Sequence, residues 1–184
     1  MKEAFKDIIE KDEKIIKVYK PDGKRYWWGL ILSSLSWVFF SVLWLGMVFL
    51  GILIDEGDAS AIGIAILVLI AVISVVLIPV LIFGNLAYKN RFYAYSNKRI
   101  LIRSGVIGVD YRTLEFQAMT ATNVRVTPLD KLLRTKTGTV EFGSPSSPIG
   151  MVAGNARVAS QYGFKGIENP YDTLREIKEY MDKK

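Results

Sequence analysis

The chain has 184 residues, 51% of them hydrophobic and 23% charged, with a net charge of +6, no histidine and no cysteine. The missing residue types exclude disulfides, thiolate metal sites, cysteine nucleophiles, imidazole bases and His-ligated metals. An enzyme built on this chain would have only carboxylates, Lys, Tyr and hydroxyls to work with.

Residues 1–25 read as a charged N-terminal segment with eight Lys or Arg and six Asp or Glu. Ala4, Phe5, Ile8 and Ile9 recur at helical spacing and predict a short amphipathic helix. It would either pack on protein or lie on a membrane surface; its mixed charge favours protein. Ile15–Lys20 reads as extended, and Pro21-Asp22-Gly23 as a turn. Such a charged start has no apolar core of a cleavable signal.

Two uncharged runs follow, Tyr26–Ile54 with 29 residues and Ala59–Tyr88 with 30. A bilayer core of about 30 Å needs roughly 20 helical residues, so residues 26–88 predict a two-helix transmembrane hairpin. Asp55-Glu56-Gly57-Asp58 is long enough only for a turn, which places both termini on one side. Basic residues flank the hairpin, eight before it and sixteen in residues 89–184, and its turn has none. Positive flanks stay inside, so the expectation is a multi-pass cell-membrane protein with both termini cytoplasmic. Tyr26, Trp27, Trp28 and Tyr88 would anchor the inner interface. Gly29, Ser33, Ser34, Ser36 and Ser41 in the first span, and Ala61, Gly63 and Ala65 in the second, suit close helix packing. That packing is expected within the hairpin, with a homo-oligomer as the alternative. Pro79 is expected to kink the second span.

Residues 89–184 change pattern. Short β-branched stretches run through Phe92–Ser96, Arg99–Ser104, Val106–Val109, Tyr111–Phe116, Asn123–Thr127 and Thr139–Phe142. They predict a small antiparallel β-barrel or sandwich. Asn169 as cap, Pro170 at the first position, and Tyr171, Leu174, Ile177 and Met181 along one stripe predict a C-terminal helix packed on it. The fold class is therefore α+β, a membrane hairpin followed by a helix-capped β domain.

Tyr95-Ser96-Asn97-Lys98-Arg99-Ile100-Leu101-Ile102-Arg103-Ser104-Gly105 resembles the opening of bacterial membrane-associated pleckstrin-homology-like (PH-like) domains. The likeness continues through Val124-Arg125-Val126, Leu129–Leu133, Gly138-Thr139-Val140, Phe164, Ile167 and Asn169-Pro170. It implies seven strands in two sheets with one corner capped by the final helix. Residues 143–166 depart from the family's tight hairpin and read as an elongated hairpin or surface loop.

No phosphate-binding loop is present, and Asp110, Glu115, Asp130 and Glu141 are dispersed, so neither catalysis nor a metal or organic cofactor is expected. The remaining signal is positive charge. Lys98, Arg99, Arg103, Arg112, Arg125, Lys131, Arg134 and Lys136 are the candidate contacts for lipid headgroups or a partner. The leading expectation is a non-enzymatic scaffold or interaction module at the inner face of the membrane, with membrane lipids and a protein as partners. A regulatory or accessory subunit of a transport complex is the alternative. Topology accounts for the basic charge, so no nucleic-acid partner is expected.

Overall fold

The computed structural model describes residues 2–56, 59–150, 152–153, 156–157 and 160–183. The chain forms two compact units, one of residues 1–26 and 86–184, the other of residues 27–85.

The second unit consists of most of α1 (Gly23–Glu56) and α2 (Ala59–Asn90). Stretches of 25 residues in α1 (Gly23–Met47) and 24 in α2 (Leu67–Asn90) are long and apolar enough to cross a membrane. Their large side chains face outward: Trp37 is 72% and Val75 72% exposed. Water disfavours such a surface and lipid accommodates it. The hydroxyls of Ser33, Ser34, Ser36, Ser41 and Ser74 donate to carbonyls three or four residues back in their own helices. Of the serines expected at the packing seam only Ser34 is buried. The close approach occurs at Gly84, where an added Cβ would lie 2.7 Å from Leu30 Cδ1. A Cβ at Gly63, by contrast, would meet open space. α2 runs unbroken through Pro79. Gly57 and Asp58 of the expected turn lie outside the described residues.

The first unit holds the strands. One sheet has the order β1 (Ile15–Tyr19), β2 (Phe92–Ser96), β3 (Arg99–Ser104), β4 (Asp110–Glu115). The other has the order β5 (Ala121–Arg125), β6 (Thr137–Gly143), β9 (Tyr162–Glu168). All their pairings are antiparallel. The seven-stranded count implied by the resemblance is thus met, in two separate sheets and not a closed barrel. A small hairpin, β7 (Val152–Ala153) with β8 (Ala156–Arg157), extends the β6–β9 connection. α3 (Pro128–Leu132) links β5 to β6, and α4 (Pro170–Asp182) closes the chain.

Two strands differ from the sequence pattern. Val106–Val109 is a turn and not a strand, because Gly105 (φ 140°) breaks the ladder there. β9 (Tyr162–Glu168) is the strand that the sequence pattern conceals. Its glycines and polar residues mask the core positions Phe164 and Ile167, both nearly inaccessible.

Strands β2 and β3 are apolar on both faces because both are covered. Tyr93, Tyr95, Ile100, Ile102 and Leu114 join Val140, Phe142, Phe164, Ile167 and Ile177 of α4 in the main core. Ala94, Leu101 and Ile15 point the other way, onto Ala4 and Phe5 of a 3₁₀ segment, Lys2–Ile8. The N-terminal amphipathic segment therefore packs on protein. Residues 1–25, which the sequence separates from 89–184, supply both a strand and a cover to that unit.

α4 is rotated relative to the expected stripe. Pro170, Thr173 and Ile177 are buried, with Leu174, Tyr180 and Met181 partly covered, whereas Tyr171 is exposed. Asn169 precedes the helix in a left-handed conformation (φ 46°), and its side chain makes no capping hydrogen bond. Its backbone serves instead: its N–H donates to Lys136 O at 2.8 Å and its carbonyl accepts from Thr173 N at 3.0 Å.

Candidate functional site

The eight candidate cations do not form one patch. Lys98 pairs with Glu10 at 3.0 Å. Arg99 pairs with Glu13 at 2.8 Å and donates to Ile8 O at 2.9 Å. Arg103 donates to Ala4 O at 3.1 Å, with its guanidinium 5.9 Å from the rings of both Phe92 and Tyr111. These three cations hold the N-terminal segment against the first sheet. Arg112 reaches Gln161 O only at 3.5 Å. Arg125 lies on β5, and neither it nor Lys131, Arg134 or Lys136 forms an ion pair among the described residues.

The ties to the acidic segment are strong in geometry. Burial alone would raise the Glu13 carboxyl, but hydrogen bonds from Arg99 and Ser96, then from the Glu10 N–H, hold it below the usual range. A cavity of about 720 Å³ beside this cluster is lined by Glu10, Lys98, Arg99, Glu115, Phe116, Gln117 and Met181. Its two bases face two acids, so it carries little net charge.

A second groove, of about 450 Å³, lies between α3 and the start of α4. Lys131, Arg134 and Lys136 line it together with Thr135, Tyr171 and Asp172. The local sequence builds this wall. Thr127 caps α3, with Pro128 at the first position, and Thr127 and Asp130 satisfy each other's backbone N–H groups in a capping box. Leu133 ends the helix, and Arg134 turns the chain in a left-handed conformation (φ 49°). Among the described residues only Arg134 and Asn169 are non-glycines with positive φ, and both line this groove. For an arginine this conformation carries a small strain.

Asp130 anchors the groove and is 1% exposed. Its carboxylate accepts from Arg25 Nε, from Thr137 Oγ1 at 2.8 Å, from Thr127 N at 2.8 Å and from Thr127 Oγ1 at 2.5 Å. Burial would raise this carboxyl, but the donors from Thr127, Thr137 and Arg25 together hold it below its ordinary value. With Asp130 neutralised by Arg25, the groove presents three bases against the single exposed acid Asp172, which lies 3.8 Å from Arg175. Arg25 immediately precedes the first uncharged run. The pair therefore ties the groove wall to the point where the chain enters that run. Sequence reasoning named the three bases but not Arg25, and read Asp130 only as one of several dispersed carboxylates, because a partner 105 residues away has no local signature.

A third cluster clamps α4 to the first sheet. Glu176 accepts from Lys17 Nζ at 2.6 Å, Tyr19 OH at 3.1 Å and Tyr95 OH at 2.9 Å. Burial, and then Glu176 itself, push both tyrosine hydroxyls up. Of the expected interface anchors, Tyr26 and Tyr88 meet at a ring separation of 5.0 Å. Trp28 is exposed, and Trp27 lines an apolar groove between α1 and α2.

A seven-stranded double sheet closed by a C-terminal helix, with two long apolar helices in the β1–β2 connection, is a PH-like module carrying candidate membrane helices. The chain belongs to the bacterial PH domain family, whose family model matches residues 26–180. The match takes in the apolar helices but omits β1 and the N-terminal segment, which complete the first sheet. That family comprises non-catalytic modules. No curated protein and no solved structure matches the chain.

Proposed function

We propose that the chain is a membrane-anchored interaction module of the cell membrane, with both termini and the PH-like unit on the cytoplasmic side. Its groove between α3 and α4 takes the phosphate of anionic lipid headgroups. The observation that carries this reading is the gathering of Lys131, Arg134 and Lys136, none of them ion-paired among the described residues, on a wall joined through Asp130 to Arg25. Bases near an anionic leaflet contribute about 1 kcal/mol each. Two spans already anchor the chain, so headgroup binding orients the unit and does not recruit it.

The test uses the full chain in mild detergent, with lipid retention read by native mass spectrometry. Phosphatidylglycerol is expected to be retained over phosphatidylcholine, and the combined Lys131→Glu, Arg134→Glu and Lys136→Glu variant to lose that preference. Displacement by inorganic phosphate alone would indicate a free anion as the ligand. Equal retention by parent and variant would refute the groove. Orientation is read separately, by labelling Gly57→Cys in intact cells with an impermeant thiol reagent; no labelling would overturn the assigned sides. A protein partner has its own support in β4, an edge strand of the first sheet, along which an extended peptide can add.

A further inference from the structure

The connection between β3 and β4 is the sequence Gly105-Val106-Ile107-Gly108-Val109. Its three apolar side chains face solvent: Val106 is 39%, Ile107 87% and Val109 40% exposed. The turn is tightly built. Gly105 has φ 140°, and a Cβ there would lie 2.0 Å from the Gly108 carbonyl oxygen. No side chain fits at that position, and the closed turn presents its apolar residues outward.

Strand register places this turn. Tyr19 pairs with Tyr93, Phe92 with Arg103, and Ser104 with Asp110. The end of β1, the start of β2 and the β3–β4 turn therefore lie at one end of the sheet. From that end the chain leaves for α1 and returns from α2. The first turn of α1 and the last of α2 belong to this same unit. Cations and aromatic rings gather there as well. Lys20 Nζ lies 4.5 Å from the Tyr88 ring centroid and 5.3 Å from that of Phe92. Arg91 lies 5.3 Å from the Tyr26 ring, and Arg103 sits between Phe92 and Tyr111. Mixed aromatic and basic side chains suit the headgroup level of a bilayer, where one end of the side chain is apolar and the other wet.

We infer that the Gly105–Val109 turn is a third membrane contact, inserting Val106, Ile107 and Val109 into the interface of the leaflet that the two helices enter. The occupant is lipid because the turn shares its end of the sheet with both helix junctions. The basic and aromatic side chains around it match a headgroup layer. With the helices as two points of attachment, this third point fixes the tilt of the sheet against the bilayer. The inference rests on the membrane anchorage proposed above and is independent of the α3–α4 groove.

Because the chain has no cysteine, single cysteines carry a probe without background. Ile107→Cys, Lys11→Cys and Phe40→Cys variants of the full chain, each bearing a polarity-sensitive fluorophore, are placed in nanodiscs of phosphatidylethanolamine and phosphatidylglycerol. Lys11 is exposed near Asp12 and Lys14, which hydrogen-bond Asn97 at the opposite end of the sheet. Phe40 lies in the first apolar stretch. Nitroxide-bearing lipid is expected to quench the label at 107 several-fold more than that at 11, and iodide to show the reverse order. A label at 107 that behaves like that at 11 overturns the inference. So does one shielded from iodide but not quenched by lipid, since protein then covers the turn. Strong lipid quenching at 40 in either case leaves the anchorage standing; its absence there overturns both.

Discussion

Asp130→Asn tests the buried ion pair that supports the groove. The carboxylate accepts four hydrogen bonds, two at each oxygen. Asparagine offers one acceptor oxygen, so its amide nitrogen faces two donors on one side, whichever way it is turned. Two hydrogen bonds to a charged group are lost, at about 1.5–3 kcal/mol each. Arg25, whose side chain is only 21% exposed, is left without its counter-ion. Breaking one side of such a pair costs about 3–5 kcal/mol. This is a large share of the roughly 5–15 kcal/mol that holds a domain folded. Thermal unfolding of the full chain in detergent, followed by near-UV circular dichroism of its tyrosines, should show a fall of roughly 10–20 °C. The pH dependence has a definite sign. The folded carboxyl titrates below its ordinary value of 3.8, so its stabilisation is complete above 3.8 and fades as pH falls through the folded value. The gap between parent and Asn variant should therefore narrow only in acid below about 3.8. A double-mutant cycle with Arg25→Gln should give a coupling well above about 0.5 kcal/mol. A loss under about 1 kcal/mol, or additive single effects, would refute the assignment of a structural ion pair.

Two further expectations concern the segments that complete the first sheet. Phe5→Ala removes a fully buried ring from the cluster with Ile15, Ala94 and Leu101, at a cost of about 3–5 kcal/mol. Hydrogen exchange should rise first in residues 2–8; unchanged protection there would show that the segment does not depend on that ring. Glu176→Gln weakens the link from α4 to Lys17, Tyr19 and Tyr95. The group is 39% exposed and solvent screens it, so the loss should be at most about 1 kcal/mol. Burial would raise the Glu176 carboxyl, but Lys17, Tyr95 and Tyr19 hold it below 4.5, so this loss should appear above pH 4.5 and vanish in acid; a pH-independent difference would rule out the charge as its source.

The linear pattern carried the parts of this protein whose causes are local. Two uncharged runs longer than a bilayer core dictate two apolar helices wherever they sit. The short apolar and β-branched stretches Phe92–Ser96 and Arg99–Ser104, and Asn169-Pro170 ahead of a terminal helix, are likewise written in neighbouring residues. The three bases of the groove were legible as charges, though indistinguishable from Lys98, Arg99 and Arg103, which prove to be bound to the chain's own N-terminus. That difference depends on partners about 90 residues distant, namely Glu10, Glu13 and the carbonyls of Ile8 and Ala4. β1 looked like a short extended stretch ahead of the membrane. Only pairing with β2, across the whole hairpin, makes it the first strand of the sheet. Composition and the placing of charge along the chain settled that it has two apolar helices, a basic remainder and no histidine or cysteine chemistry. Tertiary structure decided which charges are neutralised, which end of the sheet holds both helix junctions, and that an apolar turn lies at that same end. Propensity and hydropathy act over a few residues, whereas ion pairing and strand register join residues that the sequence keeps far apart.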